Sequence, residues 1–226
     1  WKTLIYLDAD VRTVKNYPGV NWVGLSHFVL SSVVCAKDVV EEVSNILELG
    51  EDDASLFGGQ TGIETGSPRL IKEHMLGKCK PFSPEDWPEV VVNSFEILSE
   101  NHWVPCATIV LGLPDEEEED INLTIELVED LKKFESLIVP LFLVPTGGLM
   151  DKADPFTLQM LTPRHSELFL KCWEHNFHWI PILMEPFMKR RRARLGLEIL
   201  LSRGIRYCER LIRECQNHYD YDMRRM

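Results

Sequence analysis

No apolar run in this chain approaches the roughly 18–20 residues that a membrane-spanning helix needs, and no stretch has the order of a secretory leader. Cysteine is both sparse and scattered, at positions 35, 79, 106, 172, 208 and 215. Even the nearest pair, Cys208 and Cys215, would lie about 10 Å apart along a helix, too far to share one metal ion. The spacing excludes a disulfide scaffold and any metal site built from a local motif. It reads as the reduced thiols of a cytoplasmic protein. His165, His175 and His178 fall on an expected helix without an HExxH order, so they read as solvated or core histidines. Internal repeats and long low-complexity segments are missing as well. So is an initiating Met, since the first residue is Trp1, inside an apparent strand, and the chain is expected to be cut from a longer one.

What is present is a globular composition. The 226 residues are 45% hydrophobic and 27% charged, enough for one good core or one core plus an appendage. The net charge of −12 hides an asymmetry. Residues 1–154 carry 11 Lys and Arg against 28 Asp and Glu, whereas residues 155–226 carry 13 against 8. The acidic part should repel nucleic acid and the basic tail could attract it. The change of sign sets the expected domain boundary, with residues 1–154 on one side and 155–226 on the other.

Along residues 1–148 strand and helix patterns alternate. Strands are expected near 3–7, 21–28, 55–64, 103–111 and 136–144, the first followed by a linker through Tyr17-Pro-Gly19. The last two are almost wholly apolar, as strands buried on both faces are. Between the second and third lies an amphipathic helix at 37–49, with Val39, Val40, Val43, Ile46 and Leu47 at helical spacing. Ser67-Pro68 reads as the cap and first residue of a short helix ending at Gly77, and Ser83-Pro84-Glu85-Asp86 opens another to about residue 101. The acidic run 115–120 opens a helix to about residue 134, where negative charge favours the positive end of the helix dipole. Strands separated by helices argue for parallel βαβ units. From about Thr162 the pattern is helical only.

Three strand ends could carry chemistry. Gly58-Gly-Gln-Thr-Gly-Ile-Glu-Thr-Gly-Ser67 leaves a strand and enters a capped helix. In parallel α/β folds ligands bind at such places. Glu64 there could accept hydrogen bonds from a ribose diol, or it could be an ordinary solvated acid in a Gly-rich turn. Ala107-Thr-Ile-Val-Leu-Gly-Leu-Pro-Asp-Glu116 offers Ile109 and Leu111 to a flat base beneath a Gly/Pro turn, or is simply a buried strand and its turn. Val144-Pro-Thr-Gly-Gly148 taken alone is a turn. The basic stretch 189–194 reads as a solvated helix face or as an RNA contact.

In this order the motifs resemble the radical S-adenosylmethionine superfamily, and within it the proteins that pair a cobalamin-binding-like domain with a methylthiotransferase-like core. The residues that carry the resemblance are Gly62-Ile-Glu-Thr-Gly-Ser67 with Pro68-Arg-Leu-Ile-Lys72, and Gly112-Leu-Pro-Asp-Glu116 with Glu119-Asp-Ile121. Leu131-Lys132 and the strand ending in Val144-Pro-Thr-Gly-Gly148 extend it, so that it covers about residues 20–150. It implies the C-terminal part of a partial (β/α)6 TIM-like barrel with parallel strands, followed by a helical extension. It also implies a [4Fe-4S] cluster held by a CxxxCxxC loop and fed by an electron donor. S-adenosylmethionine would bind that cluster and be cleaved to a 5′-deoxyadenosyl radical.

The resemblance places cofactor contacts at Glu64, for the ribose, at Thr65 and Ser67, and at Ile109 with Gly112, for the adenine. Where many relatives carry an Arg near the cofactor carboxylate this chain has Leu76, and Lys78 is the nearest cation. No CxxxCxxC occurs in the 226 residues, so the cluster ligands are expected in a segment preceding Trp1. Two other readings stay open: a cluster-free S-adenosylmethionine- or nucleotide-binding protein, and an RNA-modifying enzyme that holds its substrate with the basic tail.

Overall fold

A computed structural model describes residues 7–20, 23–51, 57–146 and 153–190, with side chains through residue 185, and positions 203, 204, 206, 207 and 210. Most of the expected strand at 3–7 lies outside the described residues, as do residues 147–148 of the third motif, Cys208, Cys215 and nearly all of the basic stretch 189–194. Leu7 itself, the last residue of that expected strand, opens a helix, α1 (Leu7–Lys15), which occupies the place of the expected linker and packs on the helix Lys37–Leu47 (α3). Val11 is its buried residue, and Arg12 pairs with Glu42 of α3 at 2.5 Å.

The order that follows is α2 (Leu30–Cys35), α3 (Lys37–Leu47), β1 (Gln60–Glu64), α4 (Pro68–His74), α5 (Leu76–Cys79), α6 (Trp87–Glu100), β2 (Cys106–Leu111), α7 (Glu118–Asp130), β3 (Leu137–Phe142) and α8 (Pro163–Arg190). The three strands form one parallel sheet in the order β1-β2-β3. The expected strand at 21–28 is reduced to a flanking segment. His27 forms a parallel bridge to Gln60, Leu25 N donates to Gly58 O at 3.1 Å and Phe28 N to Gln60 O at 3.0 Å. The chain then turns into α2, which buries Leu30 and Val33. Thus the α/β class and a parallel sheet are present, with helices following the strands as the alternation requires.

Local chemistry explains the helix starts. The Ser67 hydroxyl accepts from Leu70 N at 3.3 Å at the head of α4, with Pro68 in the first turn. Asp86 accepts from Ser83 N at 3.1 Å, so that a single 3-10 turn (Pro84–Asp86) leads into α6. Asp120 does the same for Glu117 N at 2.8 Å at the head of α7, whose first turn holds Glu118, Glu119 and Asp120.

The two faces of the sheet differ. Along β2 the residues Ala107, Ile109 and Leu111 are buried in the main core with Ile63, Ile138, Leu70, Val91 and Val128. The alternate residues Cys106, Thr108 and Val110 are only half-buried, as are Leu137 and Val139 of β3, and Leu141 is 44% exposed. A parallel sheet ordinarily has both faces covered; here, among the described residues, the second face is only partly covered and carries aliphatic side chains. The free edge of β3 is closed by a side chain. Asn176 of α8 accepts from Ile138 N at 2.8 Å and donates to Ile138 O at 2.7 Å, in the manner of a neighbouring strand. Pro140, two residues on, has no N–H to leave unpaired on that edge. α8 thereby packs on β3 and on α7.

Candidate functional site

Glu64 ends β1 in a strained conformation. The ladder to β2 runs Gly62↔Thr108 and then Glu64↔Ile109, so Ile63 forms a bulge, and Glu64 has φ +64°. A non-glycine residue in the left-handed region is uncommon and costs on the order of 1 kcal/mol or more. Bulges of this kind re-aim side chains beside functional sites. The Glu64 carboxylate turns onto the open face. One oxygen accepts from Lys78 Nζ at 2.7 Å and the other from the Thr108 hydroxyl at 3.2 Å. Each partner of the ion pair keeps 20% of its side-chain surface exposed. Gly62 leaves room beneath them: a Cβ there would lie 2.0 Å from the Glu64 oxygen and 2.6 Å from Lys78 Nζ, so the ion pair keeps this position only over a glycine.

Of the six residues expected at the site, Glu64 and Lys78 therefore meet at one strand end. Thr65 and Ser67 stand elsewhere. Both are buried in a polar network between α4 and α7, where Thr65 Oγ1 lies 3.2 Å from Thr124 Oγ1 and the Ser67 hydroxyl donates to Asp120 at 2.5 Å. Their hydroxyls cap and tie helices, and they face protein rather than a ligand. Asp120 also accepts from Arg69. Burial alone would raise the Asp120 pKa, but hydrogen bonds from Arg69, Ser67 and Glu117 N hold the carboxyl below the usual carboxylate range.

Ile109 is corrected by the pleat. Its side chain lies wholly in the core, on the face away from the Glu64 carboxylate, because successive strand residues point to opposite faces. The β2 residues on the open face are Cys106, Thr108 and Val110, so Val110 is the apolar surface that a flat base at the C-terminal end would meet. In a strand sequence that is almost wholly apolar the face cannot be told from residue type. Thr108 was missed for the same reason, although it stands two residues from Val110 on one face.

Gly112 begins the loop after β2 with φ +80°. Its N–H donates to the Glu116 carboxylate at 2.9 Å, and that carboxylate is 2.8 Å from His165 Nε2 of α8. A Cβ at Gly112 would lie 2.1 Å from the Phe156 ring, so the glycine permits close packing here. Two residues of α4 hold the outer side of the loop: His74 Nε2 lies 2.9 Å from Pro114 O, and Arg69 donates to Asp115 O at 2.7 Å. None of Glu116, His165 or Phe156 was singled out beforehand for this place. The one sequence signal was the Thr162-Pro163 cap that sets His165 in the first turn.

The carboxylate of Glu64, the ammonium of Lys78 and the aliphatic surface of Val110 suit a molecule with a diol, an anionic group and a flat apolar ring. A cluster is another matter. Among the described residues no three His, Cys, Asp or Glu side chains converge to hold a metal ion, so these residues do not fit a [4Fe-4S] cluster and no step is assigned to one. The described cysteines Cys35, Cys79, Cys106 and Cys172 are free. Burial pushes the Cys106 thiol up, and the Cys172 thiol up to about 12, which keeps both protonated at neutral pH. No described helix is long and apolar enough to cross a membrane. No family model matches the chain, and no curated protein matches it either.

Proposed function

We propose that the chain is the cofactor-binding part of a radical S-adenosylmethionine enzyme, with the adenosine of S-adenosylmethionine lying across the C-terminal ends of β1 and β2. The observation that carries this reading is Glu64, a residue held at φ +64° beside a bulge with its carboxylate on the open face. Strain of this kind persists where the surroundings enforce it, and it gathers at ligand clamps. A carboxylate is an acceptor only, so it complements the two O–H donors of a ribose. Thr108 orients it from one side, leaving lone pairs for the diol. Val110 offers the adenine an apolar floor on the same face. Lys78 exchanges part of its contact with Glu64 for the cofactor carboxylate. When bound, S-adenosylmethionine supplies the sulfonium carbon–sulfur bond whose cleavage defines this enzyme class.

The test is calorimetric titration of the 226-residue chain with S-adenosylmethionine. Glu64→Ala should weaken binding about tenfold or more, the loss of one or two charge-assisted hydrogen bonds. Adenosine should compete, since the reading puts the nucleoside on Glu64 and Val110. Unchanged affinity in Glu64→Ala would return Glu64 to the role of a solvated acid. The radical half of the reading is checked in the gene, where the frame preceding Trp1 should encode CxxxCxxC. A frame without it would favour a cluster-free S-adenosylmethionine-binding protein.

A further inference from the structure

The loop at 112–116 is fixed by a residue far along the chain. His165 Nδ1 lies 2.8 Å from Thr162 Oγ1 and accepts from Thr162 N at 3.2 Å, while His165 N donates to the Thr162 hydroxyl at 3.3 Å. This is a reciprocal cap at the head of α8, with His in the place that Glu or Gln usually takes. A backbone N–H can only donate, so Nδ1 is the acceptor and the ring proton sits on Nε2. That proton faces the Glu116 carboxylate at 2.8 Å. The two side chains are 8% and 6% exposed. Glu116 in turn holds Gly112 N, and the Phe156 ring, 4.9 Å from the His165 ring, fills the space beside Gly112. Phe156 is set there by its own N–H, which donates to Leu143 O at 2.9 Å.

We infer that His165 is a positioning residue for the strand-end site, acting through Glu116 to hold the 112–116 loop in the one conformation that walls the ligand beside Glu64. The inference rests on the proposed S-adenosylmethionine site for its ligand, but the clamp itself is a matter of three side chains and one amide. A buried carboxylate without its donor is costly and turns toward water. Loss of the His165 N–H therefore releases Gly112 N along with the carboxylate. The basic C-terminal segment then belongs to the binding site through its first turn, and does not merely follow it.

Two readouts on the 226-residue chain test this: S-adenosylmethionine affinity, and amide hydrogen exchange at Gly112, with Leu70 of α4 as an internal reference. His165→Phe keeps the ring packing on Phe156 and removes the donor. It should weaken affinity and speed Gly112 exchange, each by about tenfold, the worth of one charge-assisted hydrogen bond, with Leu70 unchanged. His165→Gln restores an N–H toward Glu116 and should restore both values, which a purely structural histidine would not show. Glu116→Ala reaches the same loop without leaving a buried charge, and it should reproduce the losses. If His165→Phe or Glu116→Ala leaves Gly112 exchange unchanged, or if His165→Gln fails to rescue, the clamp is refuted. If the unsubstituted chain does not bind S-adenosylmethionine, the proposed cofactor site fails, while Gly112 exchange still decides the clamp.

Discussion

His175 should make the fold acid-sensitive as the pH falls from 6.5 toward 4. The ring is buried between α8 and the start of β3. Its Nε2 lies 2.9 Å from the Ser136 hydroxyl and 3.1 Å from Ser136 O, and its Nδ1 is buried without a hydrogen-bond partner among the described residues. A backbone carbonyl needs a donor, so the neutral ring carries its proton on Nε2 and leaves Nδ1 bare. Charging the ring would put a second N–H where nothing accepts it. Burial, joined by the nearby positive charges of His178 and Lys132, outweighs the bond to Ser136 and brings the pKa down to about 4 from an ordinary 6.5.

The sign follows from linkage. A histidine whose folded pKa is depressed binds its proton more readily when unfolded, so stability is full above pH 6.5 and falls as pH drops toward 4. The shift corresponds to about 3 kcal/mol at about 1.4 kcal/mol per pH unit, a large share of a typical 5–15 kcal/mol for a domain. Urea unfolding at pH 7.5, 6.5, 5.5 and 4.5 measures it. His175→Gln keeps a donor for Ser136 O and does not titrate, so its stability should be nearly flat over the same range. Asp120 and Glu129, both held below the usual carboxylate range, lose their contributions at lower pH and equally in both proteins. Equal pH slopes for the two proteins between 6.5 and 4.5 would refute the burial argument.

Gly62→Ala should leave the fold within about 1 kcal/mol in urea unfolding, because the new methyl meets only the far ends of two flexible side chains. It should still weaken S-adenosylmethionine as much as Glu64→Ala does, since the carboxylate is displaced. Gly112→Ala combines a left-handed backbone with a collision against the Phe156 ring, and should cost about 2–4 kcal/mol by the same assay. Asn176→Ala strips both partners from the backbone of Ile138 on the free edge of β3, which should cost on the order of 3 kcal/mol. A change under 1 kcal/mol there would mean that water replaces the side chain.

The parts of the fold that could be read from the sequence are those where one local signal was enough. Ser67-Pro68, Ser83-Pro84 and the acidic run before Ile121 each place a helix start, and the structure has all three starts within a few residues. β2 and β3 lie inside the apolar runs at 103–111 and 136–144, and β1 lies inside the expected strand at 55–64. Segments whose state depends on distant partners carry no such signal. α2 has the strand-prone sequence Leu-Ser-Ser-Val-Val-Cys, yet it is helical because Leu30 and Val33 are buried and Ser31 bonds Lys78 O at 3.0 Å, 47 residues away. α1 buries one residue, Val11, too little to give a clear periodicity.

The same division runs through the site. Glu64 is conspicuous by residue type, a carboxylate at a strand end, whereas Lys78 follows only from the resemblance, as the cation nearest the expected cofactor carboxylate. Which way Ile109 and Val110 face is settled only by the pleat, and which oxygen of Glu116 is engaged only by His165, 49 residues further on. A one-residue choice of face exchanges a core residue for a site residue. Substitution separates them: Val110→Asp puts a charge on the open face, where it can be hydrated, and should keep the fold while abolishing binding of adenosine. Ile109→Asp buries a charge in the core and should prevent folding outright. If the two substitutions behaved alike, the assignment of the open face would be wrong, and with it the floor proposed for the adenine.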